Sequence, residues 1–142
     1  MKTKLFALLL LASFSANAQS VSAHLSTIKI FNHDGIGYYG SSVSLEITKD
    51  VGQVDIMVGM LNWDSHYAYQ LGVRGKATKW LDAGLDMFVF QEGFYNIDKF
   101  NFGAKAFVQK QVPLGEFQIP IRGLVGFNVD AIWAGVSLGV SW

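Results

Sequence analysis

Apolar and polar residues alternate along most of the chain after residue 18, as they do in a β-strand that has two different faces. Val43, Leu45 and Ile47, for example, are separated by single polar residues. Eight such segments of about ten residues each are predicted, which is an even number and the length that a tilted strand needs to cross a bilayer. They cover residues 19–30, 42–48, 54–60, 67–76, 81–89, 100–109, 117–129 and 132–142.

The first segment alternates less cleanly than the others. Val21 and Leu25 belong to one face, whereas Ile28 and Ile30 fall on the opposite one. A β-bulge inserts one residue and exchanges the faces beyond it. We therefore predict a bulge, or an early start of the loop, near Thr27.

One face of nearly every segment is wholly apolar, while the other carries charged, small and a few large residues. A soluble β-sandwich or lipocalin-like barrel keeps its apolar face inside and its polar face in water. A hydrophobic content of 51% with 15% charged residues fits contact with lipid better. We predict an all-β fold: an eight-stranded antiparallel transmembrane β-barrel with periplasmic termini, a multi-pass protein of the bacterial outer membrane.

Turn-forming stretches separate the segments in two alternating sets. The predicted periplasmic turns are 49–53, 78–79 and 113–115, and the predicted outer loops are 31–39, 62–66, 91–98 and 129–130. Aromatic residues follow the same division, as expected for the two girdles of a membrane barrel. The outer girdle comprises Tyr38, Tyr39, Trp63, Tyr67, Phe90, Phe94 and Tyr95, and the periplasmic girdle comprises Trp80, Phe117 and Trp142.

The first 18 residues have the features of a signal peptide. Lys2 and Lys4 precede the apolar run 5–11, and 16–18 is a small-x-small cleavage site. The predicted domains are thus a signal peptide, 1–18, and a barrel, 19–142. The chain has no cysteine and equal numbers of basic and acidic residues, 11 each. Its residues contain no metal-binding motif, and no basic face predicts a nucleic-acid partner.

An eight-stranded barrel is filled by side chains, so a pore is the least favoured of the functions considered. In the periplasmic half the inward positions are polar, and buried charges there must be paired. That inward set is Glu46, Thr48, Asp55, Arg74, Lys76, Asp82, Gln109, Gln118, Arg122, Ser137 and Ser141, with Asp86 and Lys105 near the middle.

In the outer half the inward positions are apolar or very small. Two interpretations stay open: the glycines leave a dry cavity as wide as one acyl chain, or large aromatic side chains pack against them. The glycines and alanine of this set are Gly59, Ala68, Gly72, Gly103, Gly126 and Gly135. The candidate substrate-binding residues are Leu61, Phe88, Phe90, Leu124 and Trp133.

The candidate reactive groups are three histidines and their neighbours. His24 lies on the inward face of the first segment with Ser22 and Ser26, His33 lies beside Asp34, and Asn62–His66 forms a polar loop. A histidine and an Asp-Ser pair from different strands can act as a base with a nucleophile or polariser. The alternative is that His24 is a hydrogen-bonded interior residue and that the other histidines are solvated.

The chain resembles the lipid A palmitoyltransferase family over most of its mature length. The resemblance rests on Ser22-Ala23-His24, the stretch 31–37 and the polar loop after the third strand. It implies a barrel enzyme that moves a palmitoyl chain from a phospholipid to lipid A. It also implies that His24, Asp64 and Ser65 are catalytic.

Three features depart from that family pattern. Spacing to Gly72 would instead align Asn62 and Trp63 with the Asp-Ser pair, which would lose the serine. The family's helix before the first strand and most of its prolines are missing. Pro120 alone is expected to lie within a strand, where it is predicted to break a ladder bond and open the wall.

Two functions from different classes therefore remain. One is acyl transfer between outer-membrane lipids, without a cofactor or metal. The other is a non-enzymatic small barrel with a structural or adhesive role, although the outer loops are short for adhesion. The predicted partners are phospholipid, lipid A and the barrel-assembly machinery. The last of these is expected because the final strand ends on the aromatic Trp142, which resembles the C-terminal signal of outer-membrane barrels.

Overall fold

The chain folds into a closed barrel of eight antiparallel strands in which the first strand pairs with the last. The computed structural model describes residues 20–32, 37–63, 66–91, 100–128 and 131–142. The strands are β1 (Ser20–Asn32), β2 (Gly37–Val51), β3 (Val54–Trp63), β4 (His66–Lys76), β5 (Asp82–Gln91), β6 (Phe100–Leu114), β7 (Phe117–Asn128) and β8 (Ala131–Ser141). The predicted all-β fold, an eight-stranded antiparallel barrel, is confirmed. No helix in this described part of the chain is long and apolar enough to cross a membrane.

The strands are staggered, and the amount of the stagger is set by the register. Following paired residues once around the wall leads back to β1 ten residues beyond the starting point. The path runs through Ser20, Thr48, Met57, Gly72, Asp86, Lys105, Gly126, Trp133 and Ile30. A closed sheet with such a shear has strands tilted by about 35–45° to the barrel axis.

The two faces of the strands separate as the alternation predicts. The exterior is apolar and exposed, as at Leu25, Met87 and Val136, while inward polar residues such as Asp86 and Gln109 are buried. Water would not stabilise such an exterior, whereas lipid does. The barrel is therefore a membrane-spanning one.

Strand β1 departs from the prediction. Its pairing with β2 runs without a bulge from Ser20 to Phe31, so the bulge expected at Thr27 is wrong. Ile28 and Ile30 face inward and are buried. The reason is that the inward residues of this strand change from polar to apolar between Ser26 and Ile28. In the sequence, this change has the same pattern as a strand whose apolar face has switched sides.

The two ends of the barrel differ. The end that holds Ser20 and Trp142, called the terminal end below, has two-residue turns at 52–53 and 115–116. Each turn contains a glycine with positive φ, 83° at Gly52 and 63° at Gly115, as tight hairpins require. Strands β2 and β6 reach 15 residues because their pairing continues into the predicted turns. Pro113, expected in a turn, therefore lies within β6 opposite Gln118, so the expectation that Pro120 alone lies within a strand is wrong. The opposite end is called the loop end.

Described aromatic side chains lie exposed at both ends, which agrees with the predicted girdles. Tyr39 and Tyr67 are at the loop end, and Trp80, Phe117 and Trp142 are at the terminal end. The other predicted members of the outer girdle, Tyr38, Trp63, Phe90, Phe94 and Tyr95, have side chains outside the described part.

Pro120 interrupts one side of its strand, as predicted. The β7–β8 pairing includes Gln118 with Ser141 and Ile121 with Leu138, but it skips Ile119 and Pro120. On the other side Pro120 keeps its place opposite Gln111. The register is the same before and after the gap, so the wall loses local hydrogen bonding without a shift of the strands.

Candidate functional site

Buried polar side chains from six strands meet in the middle of the barrel and toward its terminal end. Their pairing holds charged groups inside a membrane-spanning wall, where an unpaired charge would be very costly. We call this group the polar core. It consists of His24, Glu46, Gln70, Asp86, Lys105, Gln109 and Arg122.

An ion pair between Glu46 and Arg122 crosses the barrel interior. Arg122 Nη1 and Nη2 donate to Glu46 Oε1 and Oε2, both at 2.7 Å, and Arg122 Nε donates to Gln109 Oε1 at 2.6 Å. The two charged residues lie on β7 and β2, which are not neighbours in the wall. This two-pronged geometry is the strongest form of arginine–carboxylate pairing.

The polar core continues from Glu46 toward β5. Gln70 Nε2 donates to Glu46 Oε1 at 2.9 Å, and Lys105 Nζ donates to Gln70 Oε1 at 3.1 Å. Lys105 also lies 3.1 Å from Asp86 Oδ2. Two carboxylates and two cations are thus joined through one amide, and their formal charges cancel.

His24 is attached to the polar core from β1. Its Nε2 lies 3.1 Å from Ser22 Oγ and 3.5 Å from Glu46 Oε2. Nδ1 has no hydrogen-bond partner among the described residues and faces Gly139, where an added Cβ would lie 2.5 Å from it. The histidine is thus a buried part of a hydrogen-bonded network, as one of the two interpretations expected.

Phe107 is a further interior residue that was not among the predicted inward positions. Its ring is buried and lies 4.5 Å from the guanidinium carbon of Arg122, within cation–π range. An added Cβ on Gly84 would collide with this ring. The alternation of β6 places Phe107 with the inward Lys105 and Gln109, so strict period-two counting would have found it.

Two further ion pairs lie nearer the terminal end. Arg74 Nε donates to Asp55 Oδ2 at 2.9 Å, and Lys76 Nζ lies 2.7 Å from Asp82 Oδ1. The Lys76 side chain is 78% exposed, so this pair is close to water. The predicted matching of inward acids and bases is confirmed for these pairs and for the polar core.

The loop-end half of the interior is filled by what we call the apolar core. The rings of Phe88 and Trp133 lie 6.0 Å apart at an angle of 40°, and Leu124 packs against the cluster. The members of this core are buried and lie in the half in which the sequence placed the apolar residues. The members are Ile28, Ile30, Leu61, Ala68, Phe88, Ala131 and Trp133.

Neighbouring atoms occupy the space beside the inward glycines, where the sequence left either a cavity or packed side chains open. An added Cβ would collide with the Phe88 ring at Gly103, with the Trp133 ring at Gly126 and with Asp86 at Gly72. At Gly59 it would lie 2.8 Å from Gln70 Nε2, and at Gly135 it would lie 2.7 Å from Ile28 Cγ2. The packed alternative is therefore the one observed: neighbouring side chains occupy the space beside each of these glycines.

The predicted catalytic residues are only partly within the described chain. His24 lies inside the barrel, whereas Asp64 and Ser65 lie outside the described residues. Asn62, the alternative partner, pairs with Val43 and Tyr67, both of which are exposed on the exterior. Asn62 therefore lies on the outer face of the wall, across the sheet from the face that carries His24.

The predicted substrate-binding residues converge more clearly. Leu61, Phe88 and Trp133 all belong to the apolar core, and Leu124 packs against it. The backbone of Phe90 pairs with Ala68 and Asn101, and its side chain lies outside the described part. No group of three or more metal-binding side chains occurs among the residues that the structure describes.

Comparison with known proteins places the chain in a structural class. No known family matches it in sequence, and neither does any curated protein. The crystal structure of Neisserial surface protein A is similar, with 14% identity, a TM-score of 0.57, and coverage of 86% of this chain and 94% of that one. The chain thus has the fold of the small outer-membrane barrels. This fold and the apolar exterior confirm the predicted multi-pass barrel of the outer membrane.

A de novo designed transmembrane β-barrel is also similar, with 17% identity and a TM-score of 0.51. The match covers 85% of this chain and 93% of the designed one. A fold shared by a natural surface protein and a designed barrel carries no activity in itself. The function of this chain therefore depends on its own interior and exterior residues.

Proposed function

We propose that the chain is a non-enzymatic structural barrel of the bacterial outer membrane. The packed interior carries this proposal. Glu46 and Arg122 span the lumen below the apolar core, and the rings of Phe88 and Trp133 occupy the space beside Gly103 and Gly126. Such an interior stabilises a wall, and it also obstructs a narrow pore.

The proposed orientation puts the terminal end in the periplasm and the loop end outside. The connections at the terminal end contain two, five and two residues, whereas those at the loop end contain four, two, eight and two. Longer outer loops are typical of outer-membrane barrels. The exposed Trp142 after β8 supports a further proposal, that the barrel-assembly machinery receives the chain through its last strand.

A comparison of bacterial cells with and without the protein tests the structural role. We expect uptake of a hydrophobic fluorescent dye to rise when the protein is deleted and to return to normal when either the wild type or H24A is supplied. Gel mobility of unheated samples should show that both forms are folded. Unchanged dye uptake in the deletion strain would contradict the proposal.

Acyl transfer from a phospholipid to lipid A is the second candidate. The observation in its favour is the Nδ1 atom of His24, which has no partner among the described residues and lies beside Gly139. Gly139 is opposite the interrupted stretch of β7 around Pro120. In this proposal His24 acts as the base, together with Asp64 and Ser65.

Mass spectrometry of lipid A separates the two candidates. For a structural barrel we expect the same set of acyl chains in cells that carry the wild type, H24A or no protein. An additional acyl chain that appears with the wild type and is lost with H24A would overturn the structural proposal and establish the enzyme.

A further inference from the structure

The exterior near the loop end is not uniform. On β5–β8 the described outward residues of this half are apolar, as at Phe102, Phe127 and Ile132. On β1 and β2 the outward positions include Thr27, Lys29 and Ser41, all of them exposed. We call Thr27, Lys29, Gly37, Tyr39 and Ser41 the Lys29 surface.

Lys29 is the one charged side chain on the loop-end half of the exterior in the described part of the chain. The other outward lysines of the described strands, Lys49 and Lys110, lie toward the terminal end. A lysine on the lipid-facing side of a barrel costs about 2–4 kcal/mol at the centre of the bilayer and close to nothing at its interface. The ammonium group of Lys29 must therefore reach the headgroup region.

The side chain of Lys29 does extend in that direction. A Cβ added to Gly37 would lie only 3.1 Å from Lys29 Cε, so the lysine side chain passes beside this glycine. Gly37 pairs with Phe31, two residues nearer the loop end than Lys29 itself. Absence of a side chain at Gly37 thus leaves a path along the wall toward the loop end.

The ammonium group is held between two aromatic rings at that position. Lys29 Nζ lies 5.3 Å from the centre of the Phe31 ring and 5.7 Å from the centre of the Tyr39 ring. Ion pairs join several of the chain's cations to carboxylates, but among the described residues no carboxylate lies within 4.0 Å of Lys29. A cation placed this way favours an anion from the surrounding lipid.

Two hydroxyl groups lie one step deeper in the wall. Thr27 and Ser41 are opposite each other in the β1–β2 register, next to the pair of Lys29 and Tyr39 on the same face. Two residues along a strand correspond to about 7 Å. Because the strands are tilted by about 35–45°, this step corresponds to about 5 Å of depth. The acyl-linkage carbonyls of a lipid lie on the acyl-chain side of its phosphates, and hydroxyl groups can donate to those carbonyls.

We propose that the Lys29 surface binds a phosphorylated glycolipid of the lipid A type from the outer leaflet, with Lys29 at a phosphate and Thr27 and Ser41 at the acyl-linkage carbonyls. The proposal rests on the orientation given under the proposed function, since only then does this surface face the outer leaflet. The site lies on the exterior and is separate from the polar core and from His24. Its role is to hold one lipid against the wall.

Native mass spectrometry of the barrel, purified in detergent after expression of the whole chain, tests this site. The probes are bisphosphorylated lipid A, the same lipid without phosphates, and phosphatidylglycerol. We expect the wild type to retain bisphosphorylated lipid A and K29Q to retain about fivefold less, the factor expected for one lysine at a charged membrane surface. G37V should also retain less, because its side chain would displace Lys29.

K110Q is the matched control because Lys110 is an outward lysine at the opposite end. It should retain lipid A as the wild type does, and gel mobility should show that all variants are folded. The proposal is overturned if K29Q and the wild type retain equal amounts, or if K110Q loses as much as K29Q. Equal retention of the phosphate-free lipid, or stronger retention of phosphatidylglycerol, would overturn it as well.

The result is independent of the test of the proposed function. Retention of lipid by the purified barrel measures the Lys29 surface, whereas dye uptake and lipid A acylation in cells measure the role of the whole protein. If the protein were an acyltransferase with an intact Lys29 surface, the purified barrel would still retain lipid A, whereas lipid A acylation in cells would contradict the structural role.

Discussion

The polar core and the apolar core occupy the same barrel but are stabilised in different ways. In the polar core, Glu46 accepts hydrogen bonds from Arg122 and Gln70 at once, so each group depends on its partners. In the apolar core, the rings of Phe88 and Trp133 pack near each other and against the glycines of the neighbouring strands. The first arrangement should be sensitive to the loss of one charge, and the second to the addition of one methyl group.

The largest effect is expected from E46Q. It removes the carboxylate that compensates Arg122 in a fully buried position, and breaking a buried pair in this way costs about 3–5 kcal/mol. Urea unfolding in lipid vesicles, followed by tryptophan fluorescence, measures the change. The double variant E46Q/R122M should recover part of the loss, since it leaves no unpaired charge. A loss below about 1 kcal/mol would show that the polar core is not held by this pair.

A smaller effect is expected from G103A in the apolar core. The new methyl group would overlap the Phe88 ring, and overpacking of this kind costs about 1–3 kcal/mol. The matched control is G123A on the exterior, where the nearest atom, Val108 Cγ2, is 3.7 Å from the added Cβ. The same unfolding experiment should give less than about 0.5 kcal/mol for the control. Equal losses in the two variants would mean that backbone effects, and not the ring, limit position 103.

The smallest effect is expected from K76Q at the terminal end. Lys76 pairs with Asp82 but is mostly exposed, and such pairs contribute about 0–1 kcal/mol. Unfolding at low and high salt should show that this small difference disappears as screening increases. A loss comparable with that of E46Q would remove the distinction between the buried network and the pairs at its edge.

The alternation of the sequence was sufficient to predict the faces of seven strands. It identified the inward charges, since Glu46, Asp86 and Arg122 are all buried. The alternation gave the wrong prediction at Ile28 and Ile30. Apolar residues of this strand were assigned to the lipid-facing surface, although the interior itself is apolar at this height.

The role of the inward glycines was not predictable in the same way. The space beside an inward glycine is either empty or occupied by an aromatic ring from the neighbouring strand. Which of the two occurs depends on the residue that the strand register places opposite the glycine. Gly103 lies opposite Phe88 on β5, and Gly126 lies opposite Trp133 on β8. Strands that are read one at a time do not contain that information.

The candidate site was predicted in part for a related reason. His24 was correctly placed inside the barrel, but its attachment to Glu46 depends on two strands being in a particular register. Phe107 was missed because only polar residues were assigned to the inward face in that half of the barrel, although the alternation of β6 places it there.

The ten-residue shear limits how the length of this protein can change. Closure between β1 and β8 requires the offsets of all the other strand pairs to add up to one fixed value. A single residue inserted into β3 would turn every later side chain of that strand to the opposite face and would also misalign the seam between the first and last strands. Insertions and deletions are therefore compatible with a closed barrel only in the connections, so variation in length among natural homologues should be confined to the turns and loops.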